Sequence, residues 1–320
     1  MSNVFITGGA GFIGSNVANL FIKKMYNVTV FDSFEDYFIP KKDVVYPSKI
    51  SRLVDSENLK ILRGNVLNKY HLEHEIINTK PNYIIHAASL PLANISIDKT
   101  EEAYDSILTS TLNILEIIRR NKIKSKLVFL SSSMVYGDFK KIPVSENHPT
   151  NPKEIYGSLK LMAEKLIIAY GNRHNISYSI IRPSAVYGNG DRNLRVIYKF
   201  AKAAIQGQTI YVDGDGSNKA DFTHITDIAN AIYKCTVSKN TNSKIYNATT
   251  GNALSLNDVI NVIKSQFPNV KIKYGKKPDF VPLRGSLNIK ALNTDCGYIP
   301  SISTIIGINE YINHLKNNEF

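Results

Sequence analysis

The sequence predicts a doubly wound α/β protein, in which a parallel sheet is covered on both faces by helices and followed by a smaller α/β lobe. Three observations carry this. Short apolar, β-branched runs recur through the first 180 residues, each trailed by a segment long enough for a helix. The first run passes through a glycine-rich turn straight into a helical pattern. From about residue 181 the alternation loosens into glycine and aspartate turns, as in VDGDGSNKAD (212–221), then a helical pattern from about 255 and a mixed tail.

Taken in order, NVFIT (3–7) is the first strand and Phe12 to Lys24 the first helix. VTVFD (28–32) is the second strand, followed by a long loop containing Pro40 and Pro47. LKILRG (59–64), a short helix near 69–78 and YIIHAAS (83–89) continue the alternation. A long helix around 101–121 leads to KLVFLSSS (126–133), and another near 154–173 leads to YSIIRP (178–183). Strands buried on both faces read as unbroken apolar runs, and parallel neighbours need a crossover helix between them. Residues 1–180 are therefore expected to form one domain and 181–320 a second lobe, with part of 221–245 returning to the first. No internal repeat or low-complexity linker parts them, so the two lobes should be in close contact.

Composition excludes several function classes. A chain of 320 residues that is 43% hydrophobic can bury a large core. No apolar run approaches the roughly 18 residues that a membrane span needs, and Met1, Ser2 and Asn3 run into a strand without a signal-peptide pattern. Two cysteines, Cys235 and Cys296, make neither a disulfide framework nor a metal cluster and suit a reducing cytoplasm. The net charge of +12 is spread along the chain without a dense basic block, and aromatic–basic RNA-binding patterns are missing. No nucleic acid, membrane or metal is expected.

The first turn, TGGAGFIG (7–14), lies between strand and helix, where its glycines have separate tasks. Gly8 permits the tight turn, Gly11 lets the backbone approach a pyrophosphate, and Gly14 lets the helix pack on the sheet. The helix start at Phe12, Ile13 and Gly14 presents free N–H groups and a positive dipole end to an anion. Asp32 ends the second strand 18 residues beyond Gly14. A carboxylate there accepts from ribose hydroxyls and repels a 2′-phosphate, which favours NAD over NADP.

Tyr156 and Lys160 stand at i and i+4 on a predicted helix and can reach one point in space. Two amphipathic side chains on a helix face do so too, and the surrounding sequence decides between the readings. Its ordered marks are TGGAGFIG, Asp32, GNV (64–66), HAAS (86–89), SSSMVYG (131–137), YGSLK (156–160), RPSAVYG (182–188), GDGSNKADFTHITD (214–227) and GYIP (297–300). Together they resemble the extended short-chain dehydrogenase/reductase family, specifically its nucleotide-sugar epimerases and dehydratases, over nearly the whole chain.

That resemblance implies a Rossmann domain and assigns roles. Tyr156 is the implied general acid/base, Lys160 its partner that also holds the nicotinamide ribose, and Ser132 the catalytic serine. Ala87, Ala88 and Ser89 are implied to line NAD, Asn65 and Val66 to flank the adenine, and Pro183 to pack near the nicotinamide. Elementary electrostatics agrees. A tyrosine titrating near 10 needs about 4 kcal/mol to act as a base near neutrality. An ammonium ~4 Å away supplies about that much at an effective dielectric of ~20, and an oxidised nicotinamide adds more. His86 and His224 sit in apolar surroundings and read as structural, while Tyr136 and Tyr187 end similar VYG turns and read as packing residues.

Departures from the family pattern concern the substrate. Leu159 stands where family members usually carry serine, with Ser158 one place earlier. Ala185 replaces an asparagine, and Ala220 an arginine, that usually hold the diphosphate; Arg195, Lys219 and Arg284 are the candidates to take over, with Ser133 also facing substrate. Dehydratases usually follow the catalytic serine with Asp-Glu, whereas Ser133 and Met134 follow Ser132 and neither can drive an elimination. The expectation is thus an NAD-dependent 4-epimerase of a nucleotide-diphosphate sugar. A 4,6-dehydratase, a keto-sugar reductase and a non-enzymatic NAD-sensing interaction protein are the alternatives. A homodimer formed through the helices near 101–121 and 154–173 is implied by the family alone.

Overall fold

The structure is a computed structural model and describes residues 1–36, 49–90, 93–191, 195–276 and 282–318. The loop holding Pro40 and Pro47 lies outside the described residues. The first half alternates as the apolar runs require: β1 (Asn3–Thr7), α1 (Phe12–Lys23), β2 (Asn27–Asp32), β3 (Leu59–Arg63), α2 (Lys69–Thr79) and β4 (Tyr83–His86). Next come α3 (Ala93–Asp98), α4 (Thr100–Tyr104), a π-turn at Asp105–Thr109, α5 (Ser110–Arg120), β5 (Lys126–Leu130), α6 (Ile155–His174) and β6 (Tyr178–Pro183). The rest comprises β7 (Val186–Tyr187), α7 (Val196–Ile205), β8 (Ile210–Val212), β9 (Lys219–Ala220), β10 (Thr223–His224) and α8 (Ile225–Val237). It closes with β11 (Lys244–Ala248), β12 (Leu254–Ser255), α9 (Leu256–Gln266), β13 (Ile272–Tyr274), α10 (Lys290–Cys296) and α11 (Thr304–Asn318).

Seven parallel strands form the central sheet in the order β11-β6-β5-β4-β1-β2-β3. The strand direction of travel reverses at β1 and β4, so the crevice beyond their C-terminal ends is the place where such sheets bind ligands. Both faces of the sheet are covered over its inner strands, while the edge strand β3 is partly exposed. Val17 and Phe21 of α1 pack with Ile228 and Ile232 of α8 on one side, while Leu72, Ile114, Ile118, Ala163 and Ile167 cover the other. Because α8 covers α1 and β11 extends the sheet, the stretch from 225 to 248 is part of the central layer. A separate cluster of Tyr198, Phe200, Val259, Ile263, Ile308 and Ile312 holds the smaller lobe together.

Two strands are shorter than their sequence runs suggest. YIIHAAS leaves the sheet after His86 and KLVFLSSS after Leu130. Beyond those points the chain turns to line a cavity, which takes the place of a neighbouring strand. Leu159, the residue standing in for serine, is buried among the apolar residues under α6. Among the described residues, no helix is long and apolar enough to cross a membrane.

Candidate active site

A cavity of about 450 Å³ opens along the C-terminal ends of β1, β2, β4 and β5, and residues 183–186, Ala220 and Arg284 wall its other side. This volume lies within the range of small-molecule sites. Every site residue expected from the sequence lines it except Lys219. Lys219 neighbours Ala220 on the two-residue strand β9, and side chains alternate across a strand. Ala220 therefore faces the cavity while Lys219 is exposed, with Asp258 among the groups its charge reaches.

The glycine turn fits a dinucleotide. Gly8 has φ +68°, and a Cβ there would come within 2.6 Å of the Ala88 backbone nitrogen. A Cβ on Gly14 would lie 2.1 Å from the Gly8 carbonyl oxygen. The turn is thus packed so closely against the Ala87–Ala88 backbone and the start of α1 that side chains are excluded, leaving a bare cradle. No side chain caps α1, whose N-cap is Gly11, and no acidic residue occupies its first turn. Its free N–H groups would fit the diphosphate of a dinucleotide. At the far side, Asp32 accepts from the backbone N–H of Ala10 at 3.0 Å through Oδ2 and from that of Phe34 at 2.8 Å through Oδ1. Each bond fixes one oxygen and leaves lone pairs for ribose hydroxyls.

Tyr156 and Lys160 sit one turn apart on α6, with the Lys160 Nζ 5.7 Å from the centroid of the Tyr156 ring. The ammonium donates to the Leu130 carbonyl oxygen at 2.7 Å and lies 4.9 Å from the Phe129 ring centroid. Burial pushes Lys160 down to about 7, against the pull of Glu164. Burial also pushes Tyr156 up to about 12, opposed by Arg195. The sequence-based expectation that Lys160 lowers Tyr156 is corrected on this point. Desolvation dominates at both groups, and the ammonium is turned to Leu130.

Ser132 follows β5 in extended backbone and accepts from the Met134 N–H at 3.1 Å, which caps a short 3₁₀ turn, Ser133–Tyr136. Arg284 donates to the Ser133 carbonyl oxygen at 2.9 Å, lies 5.2 Å from the Phe139 ring centroid and is pushed down to about 10 by burial. Arg195 donates to the Val186 carbonyl oxygen at 2.7 Å and stands 3.9 Å from Asp191. Ala185 lines the wall with an apolar side chain.

Other residues complete the lining without having been expected. Arg52 donates to the Ala10 carbonyl oxygen at 3.5 Å, and it lines the glycine-turn side together with Lys49. Ser131 and Ser184 line the cavity beside Ser132 and Pro183. Arg52 and Lys49 come from an irregular stretch without periodicity, so nothing local in the sequence marked them. Ser184 could have been found, because it stands between Pro183 and Ala185. His86 bridges Thr7 Oγ1 at 2.7 Å and Ser110 Oγ at 3.1 Å beneath the site, and its burial holds it down at about 3. Tyr136 donates to Asn247 Oδ1 at 2.7 Å and Tyr187 to the Thr304 carbonyl oxygen at 3.1 Å.

Known proteins resemble this chain in sequence and in fold. A model of the NAD dependent epimerase/dehydratase family matches residues 4–249. A Methanocaldococcus jannaschii protein provisionally named UDP-glucose 4-epimerase is 30% identical over 98% of this chain and 99% of its own. The UDP-glucuronic acid 4-epimerase of Bacillus cereus is similar in structure with a TM-score of 0.89 at 24% identity, covering 98% of this chain and 99% of that one. The dTDP-glucose 4,6-dehydratase of Bacillus anthracis str. Ames reaches a TM-score of 0.87 at 24% identity over 99% and 97%. These two structures are named for different reactions on one fold, so the fold leaves the reaction to the site. By its sequence over most of its length, the chain belongs to the NAD dependent epimerase/dehydratase family, and its cofactor is NAD.

Proposed function

We propose that the protein is a nucleotide-sugar 4-epimerase that interconverts epimers of an NDP-hexose through a transient 4-keto sugar. The supporting observation is the placement of carboxylates. Among the described residues, the cavity is lined by Asp32, Glu35 and Asp36 alone of the acids, and all three lie at or just beyond the end of β2. Ser132, Ser133 and Met134 follow β5, three strands away in the sheet, roughly 14 Å at ~4.8 Å per strand. No lining carboxylate therefore stands beside the sugar end to drive elimination of water. Epimerisation needs none.

When bound, NAD supplies a reversible hydride acceptor for the sugar carbon. Tyr156 exchanges the proton of the sugar 4-hydroxyl, with Ser132 hydrogen-bonding that hydroxyl to fix the transfer geometry. Tyr156 titrates near 12 when only the protein surrounds it, so cationic charge entering the cavity with oxidised nicotinamide pulls it in the direction that base catalysis needs. Arg284 and Arg195 are the proposed donors to the diphosphate, with Ser133, Ser184 and Ala185 shaping the sugar pocket. Lys219 is left out because it stands outside the cavity. The central sheet with α8 and β11 holds the cofactor in this reading, and the smaller lobe holds the sugar nucleotide.

The names of the relatives put UDP-sugars first among the substrates to test. A cytoplasmic location fits two free cysteines, Cys235 and Cys296, and a place in carbohydrate biosynthesis fits the proposed substrate class. A homodimer fits the exposed Tyr104, Leu112 and Met162 on α4, α5 and α6. The reaction is tested by turnover in heavy water. An epimerase returns the hydride to carbon 4 without net use of NAD, leaves ring carbons unlabelled and keeps substrate mass. Solvent deuterium at carbon 5, or a product lighter by one water, would promote the dehydratase instead.

A further inference from the structure

The segment 282–286 has no regular secondary structure, yet it carries Arg284 into the cavity wall. Backbone of this kind must find its hydrogen bonds outside itself. Residues 138–144 supply several. The Phe139 N–H donates to the Leu283 carbonyl oxygen at 2.9 Å, the Val144 N–H to that of Ser286 at 3.0 Å, and the Asn288 N–H to that of Val144 at 2.7 Å. The Leu287 N–H goes elsewhere, to Asp221 Oδ2 at 3.1 Å. Leu287 follows Arg284 by three residues, a reach of roughly 10 Å at most. Asp221 follows Ala220, which lines the same cavity. One carboxylate thus joins two stretches of cavity wall that are 66 residues apart in the chain.

Asp221 is wholly buried, and both of its oxygens are engaged. Oδ1 accepts from the Thr250 N–H at 3.2 Å and from the Thr250 hydroxyl at 2.7 Å. Oδ2 accepts from the Thr249 hydroxyl at 3.0 Å as well as from Leu287. Thr249 and Thr250 directly follow β11, so the same carboxylate ties both walls to the end of the central sheet. Only an ionised carboxylate offers acceptors alone to four converging donors. Burying one merely to fill space would cost more than an apolar side chain.

We propose that Asp221 is a positioning residue, which through the Leu287 N–H holds the Arg284 strap at the spacing from the Ala220 wall that the diphosphate of the sugar nucleotide needs. It takes no part in proton or hydride transfer. The inference rests on the reading of Arg284 as a donor to that diphosphate. The two oxygens differ in how replaceable they are. The Thr250 N–H has a second acceptor in Thr223 Oγ1 at 3.2 Å, whereas among the described residues the Leu287 N–H has Asp221 alone. Asparagine can keep its carbonyl oxygen on Leu287 and turn its amide nitrogen towards Thr250, so Asp221→Asn should hold the strap and Asp221→Ala release it.

Calorimetry on the NAD-loaded protein measures binding of UDP and of inorganic pyrophosphate, which carries the diphosphate without a base. Asp221→Ala should weaken both at least ~10-fold and raise KM for the sugar nucleotide alike, with kcat within ~3-fold of the parent. NAD affinity should be kept, and Asp221→Asn should stay near the parent. A merely structural role would lower Tm and NAD affinity together and would not spare kcat. Arg284→Ala combined with Asp221→Ala should lose no more than Arg284→Ala alone, because both act through one guanidinium. If Asp221→Ala does not fold, an amide-to-ester replacement at Leu287 removes the same bond with Asp221 in place, and the same loss is expected. Parent-like binding in the folded variant or the ester, an equally deep loss in Asp221→Asn, or losses that add in the double variant overturns the proposal. An Arg284→Ala protein that binds UDP and pyrophosphate as the parent does would instead overturn the reading on which it rests.

Discussion

The Lys160 ammonium donates to the carbonyl oxygen of Leu130 at 2.7 Å, which ties the cavity-facing side of α6 to the C-terminal end of β5. Tyr156 and Lys160 both line the cavity, and in the proposed reaction it is Tyr156 that meets the substrate hydroxyl. Tyr156→Phe removes the one oxygen through which a proton would pass. Turnover should fall at least ~100-fold, with thermal unfolding and NAD binding close to the parent. Activity within a few-fold of the parent would show that the proton passes elsewhere.

Asp32 presents its carboxylate at the end of β2, anchored by the Ala10 and Phe34 N–H groups. A 2′-phosphate brought there meets like charge, so the protein should bind NAD in preference to NADP. Asp32→Ala should narrow the preference by weakening NAD and admitting NADP. Fluorescence titration with both reduced cofactors measures this. Equal affinities in the unmutated protein would place the ribose away from Asp32.

Gly14→Ala is a small change with a large expected cost. Alanine favours a helix by up to about 1 kcal/mol over glycine, yet the added Cβ would sit 2.1 Å from the Gly8 carbonyl oxygen and 2.8 Å from the Gly9 Cα. Backbone has to move, which pushes the start of α1 off the turn. A lower Tm and a loss of NAD affinity of at least ~10-fold are expected, on the scale of about 1.4 kcal/mol. Unchanged NAD binding would remove the turn from the cofactor site.

The alkaline side of the stability profile follows from buried tyrosines. Burial pushes Tyr136 and Tyr156 up to about 12 from 10.0 and raises Tyr187, Tyr246 and Tyr298 further. A group whose folded value is raised contributes stability fully below its unfolded value and loses it as pH climbs towards the folded one. Tm should therefore fall steeply above about pH 10, and the tyrosinate absorbance beyond that of exposed residues such as Tyr70 and Tyr211 should appear together with unfolding. Ionisation of all 18 tyrosines in the still-folded protein at about pH 10 would contradict the burial of these five hydroxyls.

Much of this protein is local in origin and could be read from the chain. The apolar runs ending at Thr7, Asp32 and Pro183 specify buried parallel strands, because only sheet pairing satisfies their backbone while both faces are covered. The spacing Gly8, Gly11, Gly14 and the later Asp32 mark the turn proposed to hold the cofactor, because a dinucleotide demands bare backbone at fixed intervals. Tyr156 and Lys160 are legible as a pair because one helical turn joins them.

Whatever depends on long-range packing was decided only by the tertiary structure. The strand runs do not say where pairing stops, and it stops at His86 and Leu130 because the cavity begins there. Ala220 faces that cavity and Lys219 does not, because the pleat of β9 against β12 fixes which side chain turns inward. Arg52 reaches the glycine turn from 42 residues away along the chain. The protonation balance is also set by the fold: nothing in YGSLK reveals that desolvation lifts Tyr156 and depresses Lys160 more than the two charges affect each other. Sequence determines which groups are available and how neighbours on one helix turn are spaced, whereas burial and non-local contact are sums over the whole fold and exist only once it has formed.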